Sequence, residues 1–130
     1  MMNYKEILII TGAGVSAPSG IPTFRGANGL YSKKFEYANK EYEPEEFITK
    51  AFYELHPDPI WEWIDSIYRM ATTLKPNSIH NLIDQFAKAL GARGKKVTVV
   101  TQNVDDLHFK PFAQEYSYFA IHGNVKQVRC

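Results

Sequence analysis

With 130 residues and a hydrophobic content of 45%, the chain is sized for one modest domain, or a piece of one. Fifteen Lys+Arg against fourteen Asp+Glu leave a formal net charge of +1, so composition gives no global pull toward nucleic acid or a membrane surface. The single cysteine, Cys130, rules out an internal disulfide framework and fits a reducing compartment.

The apolar run that follows the first six residues is only Ile7-Leu8-Ile9-Ile10, too short for a signal-peptide core or a membrane span. An intracellular protein, cytoplasmic or nuclear, is the simplest expectation. The same run, stopped by Thr11-Gly12, reads as a strand buried on both faces of a parallel sheet. Residues 25–42 carry Gly-Ala-Asn-Gly and paired lysines and read as one long loop. Pro44 at a first helical position, followed by Glu45 and Glu46, opens a helix whose apolar face is Phe47, Ile48, Ala51, Phe52 and Leu55. His56-Pro57-Asp58-Pro59 breaks it, and Asp58 as N-cap with Pro59 behind it starts a second helix. The buried side of that helix is expected to carry Ile60, Ile64, Ile67, Tyr68, Ala71 and Leu74. Asn77 or Ser78 caps a third, with Ile79, Leu82, Ile83, Phe86 and Leu90 at helical spacing and Gly91 as a left-handed stop. Val97 to Val100 and Tyr116 to Ile121 complete three buried strands, so the expected fold class is α/β, a Rossmann-like parallel sheet with flanking helices inserted over residues 44–90. No internal repeat or low-complexity tract interrupts it.

Chemistry gathers at the strand ends. Gly12-Ala13-Gly14-Val15-Ser16-Ala17 fits the relaxed G-x-G-x-x-A fingerprint, in which glycines let backbone N–H groups approach a pyrophosphate at a helix N-terminus. Taken alone it is equally a tight strand-to-helix turn. Ser19-Gly20-Ile21-Pro22 stops the helix at once, and no second strand offers an acidic residue for a ribose, which disfavours hydride transfer. The loop presents Thr23-Phe24-Arg25-Gly26 instead: an aromatic that can cover a flat ring, and a guanidinium suited to phosphate or carboxylate. Gln102, Asn103 and Asp105 follow the next strand and face the same crevice, where amides can read hydroxyls and Asp can accept from a carboxamide. A capped helix start explains Asn103 or Asp105 singly, but less well the run of polar groups. His122-Gly123 stands at the third strand end, where an imidazole can accept a hydroxyl proton. His56, His80 and His108 read as packed or solvated histidines.

Together, Gly12 to Gly26 (GAGVSAPSGIPTFRG), Thr101-Gln102-Asn103-Val104-Asp105, His122-Gly123 and Cys130 resemble the sirtuins, and Pro76-Asn77 with His80 matches a helix start of that family. The resemblance implies an NAD-dependent protein-lysine deacylase. It places Gly12, Ala13, Gly14, Ser16, Pro22, Thr23, Phe24, Arg25, Gln102, Asn103 and Asp105 around NAD, and makes His122 the catalytic base with Asn103 at the reacting ribose. In the implied mechanism nicotinamide leaves NAD as the acyl-lysine carbonyl oxygen attacks the anomeric carbon. His122 then activates a ribose hydroxyl, and the acyl group departs as O-acyl-ADP-ribose. The partner is an acyl-lysine protein or peptide, with no nucleic acid or membrane, and with oligomeric state open.

Departures refine this. Thr23 stands where many sirtuins carry Asp, as in the branch that includes desuccinylases, yet Ile64 and Ile67 occupy the places of that branch's Tyr-x-x-Arg pair. An acidic acyl carboxylate would be buried unpaired, so neutral acyl groups are favoured. Asp106 replaces a common Gly, Ala120 an acidic residue, and the segment before it lacks the usual Ala-Gly. Cys130 corresponds to the first of four zinc thiolates, and one thiolate cannot hold a structural zinc. Relative to the full sirtuin fold, the zinc module and the adenosine side are missing, and low or no activity is expected of the chain alone. An ADP-ribosyltransferase or NAD hydrolase, and a non-catalytic NAD-binding remnant, are the alternatives.

Overall fold

The computed structural model describes residues 4–27, 29–109 and 116–127. In chain order its elements are β1 (Glu6–Thr11), α1 (Ala13–Ser16), β2 (Phe35–Tyr37), β3 (Lys40–Tyr42), α2 (Pro44–Phe47), α3 (Lys50–Leu55), α4 (Pro57–Thr73), α5 (Ser78–Gly91), β4 (Lys96–Thr101) and β5 (Ser117–Ala120). Short 3-10 turns lie at Ala17–Ser19, Leu30–Ser32 and Leu107–Phe109. β1, β4 and β5 form a parallel sheet in the order β1-β4-β5. Ile9 pairs with Val99, Thr11 with Thr101, and Thr101 with Ala120. All three strands therefore end along one edge, and the loops that carry the polar motifs leave it side by side.

One sheet face is closed by α5. Ala87 is fully buried against Val97 and Val99, with Ile9, Ile83, Leu90, Tyr116 and Tyr118 around them. Full burial of a valine side chain contributes about 1.5–3 kcal/mol, so this seam anchors the sheet. The expectation of strands buried on both faces is corrected: Leu8, Ile10, Phe119 and Ile121 are 60%, 62%, 56% and 57% exposed. A continuous apolar strand is consistent with two covered faces, but covering the second takes another layer. Among the described residues no helix packs there.

Residues 25–42 are more ordered than a loop. Phe35–Tyr37 and Lys40–Tyr42 pair antiparallel around Ala38 and Asn39, whose φ values of 51° and 60° are those of a tight primed hairpin turn. The hairpin packs on a second core of Phe47, Phe52 and Ile60, where Phe35 stacks on Phe47 with centroids 4.2 Å apart.

The helix expected from Pro44 is two helices. The capping box at Glu43 and Glu46 starts α2, and Thr49 then caps α3 by accepting the Phe52 N–H at 3.1 Å. Leu55, assigned to the buried face, is 75% exposed. α4 begins at Pro57 with His56 as N-cap, so Asp58 sits in the first turn rather than at the cap. α5 starts at the expected Asn77 cap, but runs through Gly91, and the left-handed residue is Gly94 with φ 74°. Ile79, Leu82 and Phe86 of the expected face are exposed, while Asp84 is buried. Its carboxylate is satisfied there: Lys88 donates at 2.8 Å and the Tyr116 hydroxyl at 3.1 Å. Among the described residues no helix is long and apolar enough to cross a membrane.

Candidate functional site

At the shared strand edge, Gln102 N–H donates to the Thr11 carbonyl at 3.0 Å and Ile121 N–H to the Thr101 carbonyl at 3.0 Å. These bonds bring the Gly12 turn, the Gln102–Asp106 segment and the His122 turn next to one another. α1 is a single turn ended by the Ala17–Ser19 turn and by Gly20 with φ 101°. Its dipole is correspondingly small, so anion binding here rests on free N–H groups more than on a macrodipole. A Cβ added to Gly14 would meet nothing within 4 Å, so this glycine faces open space.

A buried polar network holds the turn. The Asn77 N–H donates to His80 Nδ1 at 3.2 Å, which leaves the ring hydrogen on Nε2, and Nε2 lies 3.4 Å from Ser16 Oγ. Asn103 Nδ2 donates to Ser16 Oγ and to the Gly12 carbonyl, both at 3.0 Å. Both amide hydrogens are then committed, and Oδ1 is the atom of Asn103 left for a ligand. Asp105 Oδ1 accepts the Leu107 N–H at 3.0 Å, leaving Oδ2. His108 Nε2 sits 3.1 Å from Thr11 Oγ1, and its ring meets that of His80 edge-on at 4.7 Å. Burial, reinforced by the neighbouring His80, pushes His108 down to about 4, and burial lowers His80 too. Both imidazoles are neutral around pH 7. Burial, and then the carboxylates of Asp105 and Asp106, push the Tyr118 phenol up, so it stays protonated.

Above this network lies an apolar pocket lined by Ala13, Ile21, Pro22, Phe24, Leu30, Ile67, Met70, Ala71, Asn103, Val104 and Asp105. Its almost wholly apolar lining suits a flat apolar group, and Asn103 and Asp105 are the polar residues in that lining.

Five of the sequence-derived residues, Ala13, Pro22, Phe24, Asn103 and Asp105, share this pocket. Gly12 and Gly14 form the turn beside it, and Ser16 buttresses Asn103 from behind. Gln102 is exposed next to Gly12. Thr23 Oγ1 donates to the Arg25 carbonyl at 2.7 Å and so shapes its own loop. Arg25 points outward to Glu45 at 3.3 Å, with its side chain 78% exposed. His122 reaches the same edge but is exposed and outside the pocket lining. Cys130 lies outside the described residues. Ile21, Leu30, Ile67, Met70, Ala71 and Val104 were not singled out as site residues. Ile67 and Ala71 sit on the apolar stripe that any packed helix shows, so spacing alone could not separate pocket wall from core.

A parallel sheet with flanking helices and a pocket at its strand ends defines a Rossmann-like α/β protein. The chain belongs to the Sir2 family, whose model matches residues 12–130. It is 42% identical over 123 residues to the NAD-dependent protein deacylase 1 of Caldanaerobacter subterraneus subsp. tengcongensis, covering 95% of this chain and 45% of that one. It is 37% identical to the mitochondrial sirtuin-5 deacylase of Xenopus tropicalis, covering 97% of this chain and 38% of that one. A solved Sir2 homologue in complex with ADP-ribose superposes with a TM-score of 0.68 at 35% identity, over 92% of this chain and 43% of the other. A Sir2 structure with a deacetylated p53 peptide and 3′-O-acetyl ADP-ribose gives 0.66 at 31%, over 92% and 42%. The chain thus spans less than half the length of these relatives.

Proposed function

We propose that the chain carries the nicotinamide end of an NAD-dependent protein-lysine deacylase site. The observation that supports this best is the apolar pocket at the strand ends with Asn103 and Asp105 in its lining, each keeping one side-chain oxygen outside the hydrogen bonds of the buried network. A nicotinamide ring fits such walls, its carboxamide NH₂ suits Asp105, and a ribose hydroxyl suits Asn103. The relatives' names and the ADP-ribose complex agree with the choice of NAD.

Bound NAD supplies an anomeric carbon that an acyl-lysine carbonyl oxygen attacks as nicotinamide leaves. Phe24, Ile21 and Ile67 exclude water from that carbon, which would otherwise be hydrolysed. N–H groups of the Gly12–Gly14 turn meet the diphosphate. His122 accepts the proton of the ribose hydroxyl that takes over the acyl group. Arg25 reaches a phosphate only by leaving Glu45, and an exposed pair of that kind is worth roughly 0–1 kcal/mol, so the exchange is cheap. Ile67 is buried in the pocket wall and Ile64 packs on the aromatic core, so neither supplies a cation for an acidic acyl group. Neutral acyl-lysines, acetyl first, are the proposed substrates. Cys130 is proposed as one zinc ligand of the family fold, the other three thiolates having to come from outside this chain. An intracellular compartment is proposed from the single cysteine; the Xenopus relative named above is mitochondrial.

Because the chain spans 45% of its deacylase relative, turnover by these 130 residues alone is proposed to be low or nil. Mass spectrometry after incubation with NAD and acetyl- or succinyl-lysine peptide tests the reading. O-acetyl-ADP-ribose, abolished by His122→Ala, supports deacylation. ADP-ribosylated protein or free ADP-ribose without deacetylated peptide points instead to transferase or hydrolase chemistry; NAD binding with no product is the result expected of these 130 residues alone, and a folded chain that binds no NAD would overturn the reading. Preferential turnover of the succinyl peptide would overturn the acyl preference.

A further inference from the structure

We propose that Asp106 and Lys126 form a latch that positions the His122 turn against the Asn103–Asp105 motif. Asp106 has φ 57°, a left-handed conformation that glycine adopts freely and a residue with a Cβ adopts at a cost. Its carboxylate is also sequestered: the side chain is 11% exposed, and Oδ1 is buried with no hydrogen-bond partner. Strain and desolvation at one residue need an offset. The offset in the structure is Lys126, whose Nζ lies 2.7 Å from Asp106 Oδ2.

The location of the pair gives it a purpose. Ile121 N–H donates to the Thr101 carbonyl at 3.0 Å, and Val125 N–H donates to the Val104 carbonyl at 2.9 Å. With the ion pair two residues beyond Val104 and one beyond Val125, segment 121–126 is tied to segment 101–106 at three points. His122 lies exposed inside that clasp between Ile121 and Gly123, the latter with φ 81°. The two backbone bonds fix the path of the turn, and the charged pair resists its peeling away from the sheet edge. Asp106 and Lys126 touch no reacting atom on this reading; they are positioning residues that act through His122. The latch rests on the assignment of His122 as proton acceptor.

Amide hydrogen exchange on the 130-residue chain tests it without requiring turnover. Asp106→Asn keeps the shape and removes the charge, Lys126→Met removes the partner, and Lys126→Arg retains it. Asn and Met variants should each speed exchange at the Gly123 and Val125 amides about tenfold, with no further gain in the double variant, while Arg restores protection. Ile9 and Val99, which pack in the cluster under α5, should change by no more than about twofold. Asp106→Gly should loosen the same two amides while the global unfolding midpoint holds or rises, since strain is relieved as the latch is lost. Unchanged protection at Gly123 and Val125, or equal loss at Ile9 and Val99, would overturn the latch. Lys126→Met alters a partly exposed side chain and remains measurable should the Asp106 variants unfold. A chain with an intact latch that binds no NAD would count against the function and leave the Asp106–Lys126 clasp standing.

Discussion

At the scale of single residues, the site depends on two histidines that never need to carry charge. His80 gives its Nε2 hydrogen to Ser16, Ser16 also receives one from Asn103, and Asn103 is thereby turned with its oxygen outward. His108 Nε2 pairs with Thr11 Oγ1 at the root of the Gly12 turn. In the fold His108 is held down to about 4 by burial and by His80, against 6.5 when unfolded. Below pH 6.5 the unfolded chain takes up the proton first, so stability from this residue is complete above that value and drains as pH falls toward 4. At its limit the loss is on the order of 3 kcal/mol, with His80 adding in the same direction. Urea midpoints at about pH 7 and pH 4.5 should differ by more in the wild type than in His108→Gln, which keeps a hydrogen-bonding group at the ring's place without titrating. Equal acid sensitivity in the two would refute the assignment. The sequence left these histidines as packed or solvated; their partners lie 64 and 97 residues away in the chain, and no local pattern carries that information. Asn103 and Asp105 were legible as candidates because Gln102, Asn103 and Asp105, broken only by Val104, are more polar groups after a strand than a cap requires.

At the scale of elements, capping chemistry decided the boundaries. Asn77 was readable as the α5 cap, and the structure gives it more to do. Its side-chain oxygen accepts from Ile79 N–H at 2.8 Å, while Nδ2 donates to the Val15 carbonyl at 2.8 Å and to Ser19 Oγ at 2.9 Å. One residue thus starts α5 and ties it to the far side of the Gly12 turn. Asn77→Ala should cost about 2 kcal/mol or more, above an ordinary cap, since it also strands a carbonyl. Asn77→Asp should recover only the cap, because a carboxylate cannot donate to Val15. Thermal unfolding of the three proteins ranks them, and equal stability of Ala and Asp variants would show that the cap is worth nothing here. Thr49 was missed because the apolar spacing from Phe47 to Leu55 runs on across it, and period alone does not register a recapped break. Thr49→Ala should cost about 1 kcal/mol and leave α5 untouched, as amide exchange can resolve. The hairpin at Ala38 and Asn39 was hidden for a related reason: two three-residue strands are too short to show alternation, and neither turn residue is the glycine that usually marks such a turn.

At the scale of the whole molecule, the sheet was legible as far as its strand ends and their polar motifs, because short apolar runs stopped at Thr11-Gly12, Thr101 and His122-Gly123 are strong local signals. Which face each strand buries was not legible, since an unbroken apolar run reads the same whether one neighbour layer is present or two. The outcome is a sheet with unequal faces. Val97 and Val99 point to α5 and are 2% and 1% exposed, whereas Leu8, Ile10 and Phe119 on the other side remain more than half exposed. Exposed apolar area of this kind favours association and adds little to the chain's own stability. Leu8→Thr, Ile10→Thr and Phe119→Thr combined should therefore shift the protein toward monomer in sedimentation and move the unfolding midpoint by no more than about 1 kcal/mol equivalent, because threonine keeps strand propensity. Val99→Thr, a smaller change in the same sheet, should cost roughly 1–3 kcal/mol by burying a hydroxyl under α5 where no partner waits. If instead the triple substitution on the open face unfolds the chain while Val99→Thr is tolerated, the faces have been assigned the wrong way round.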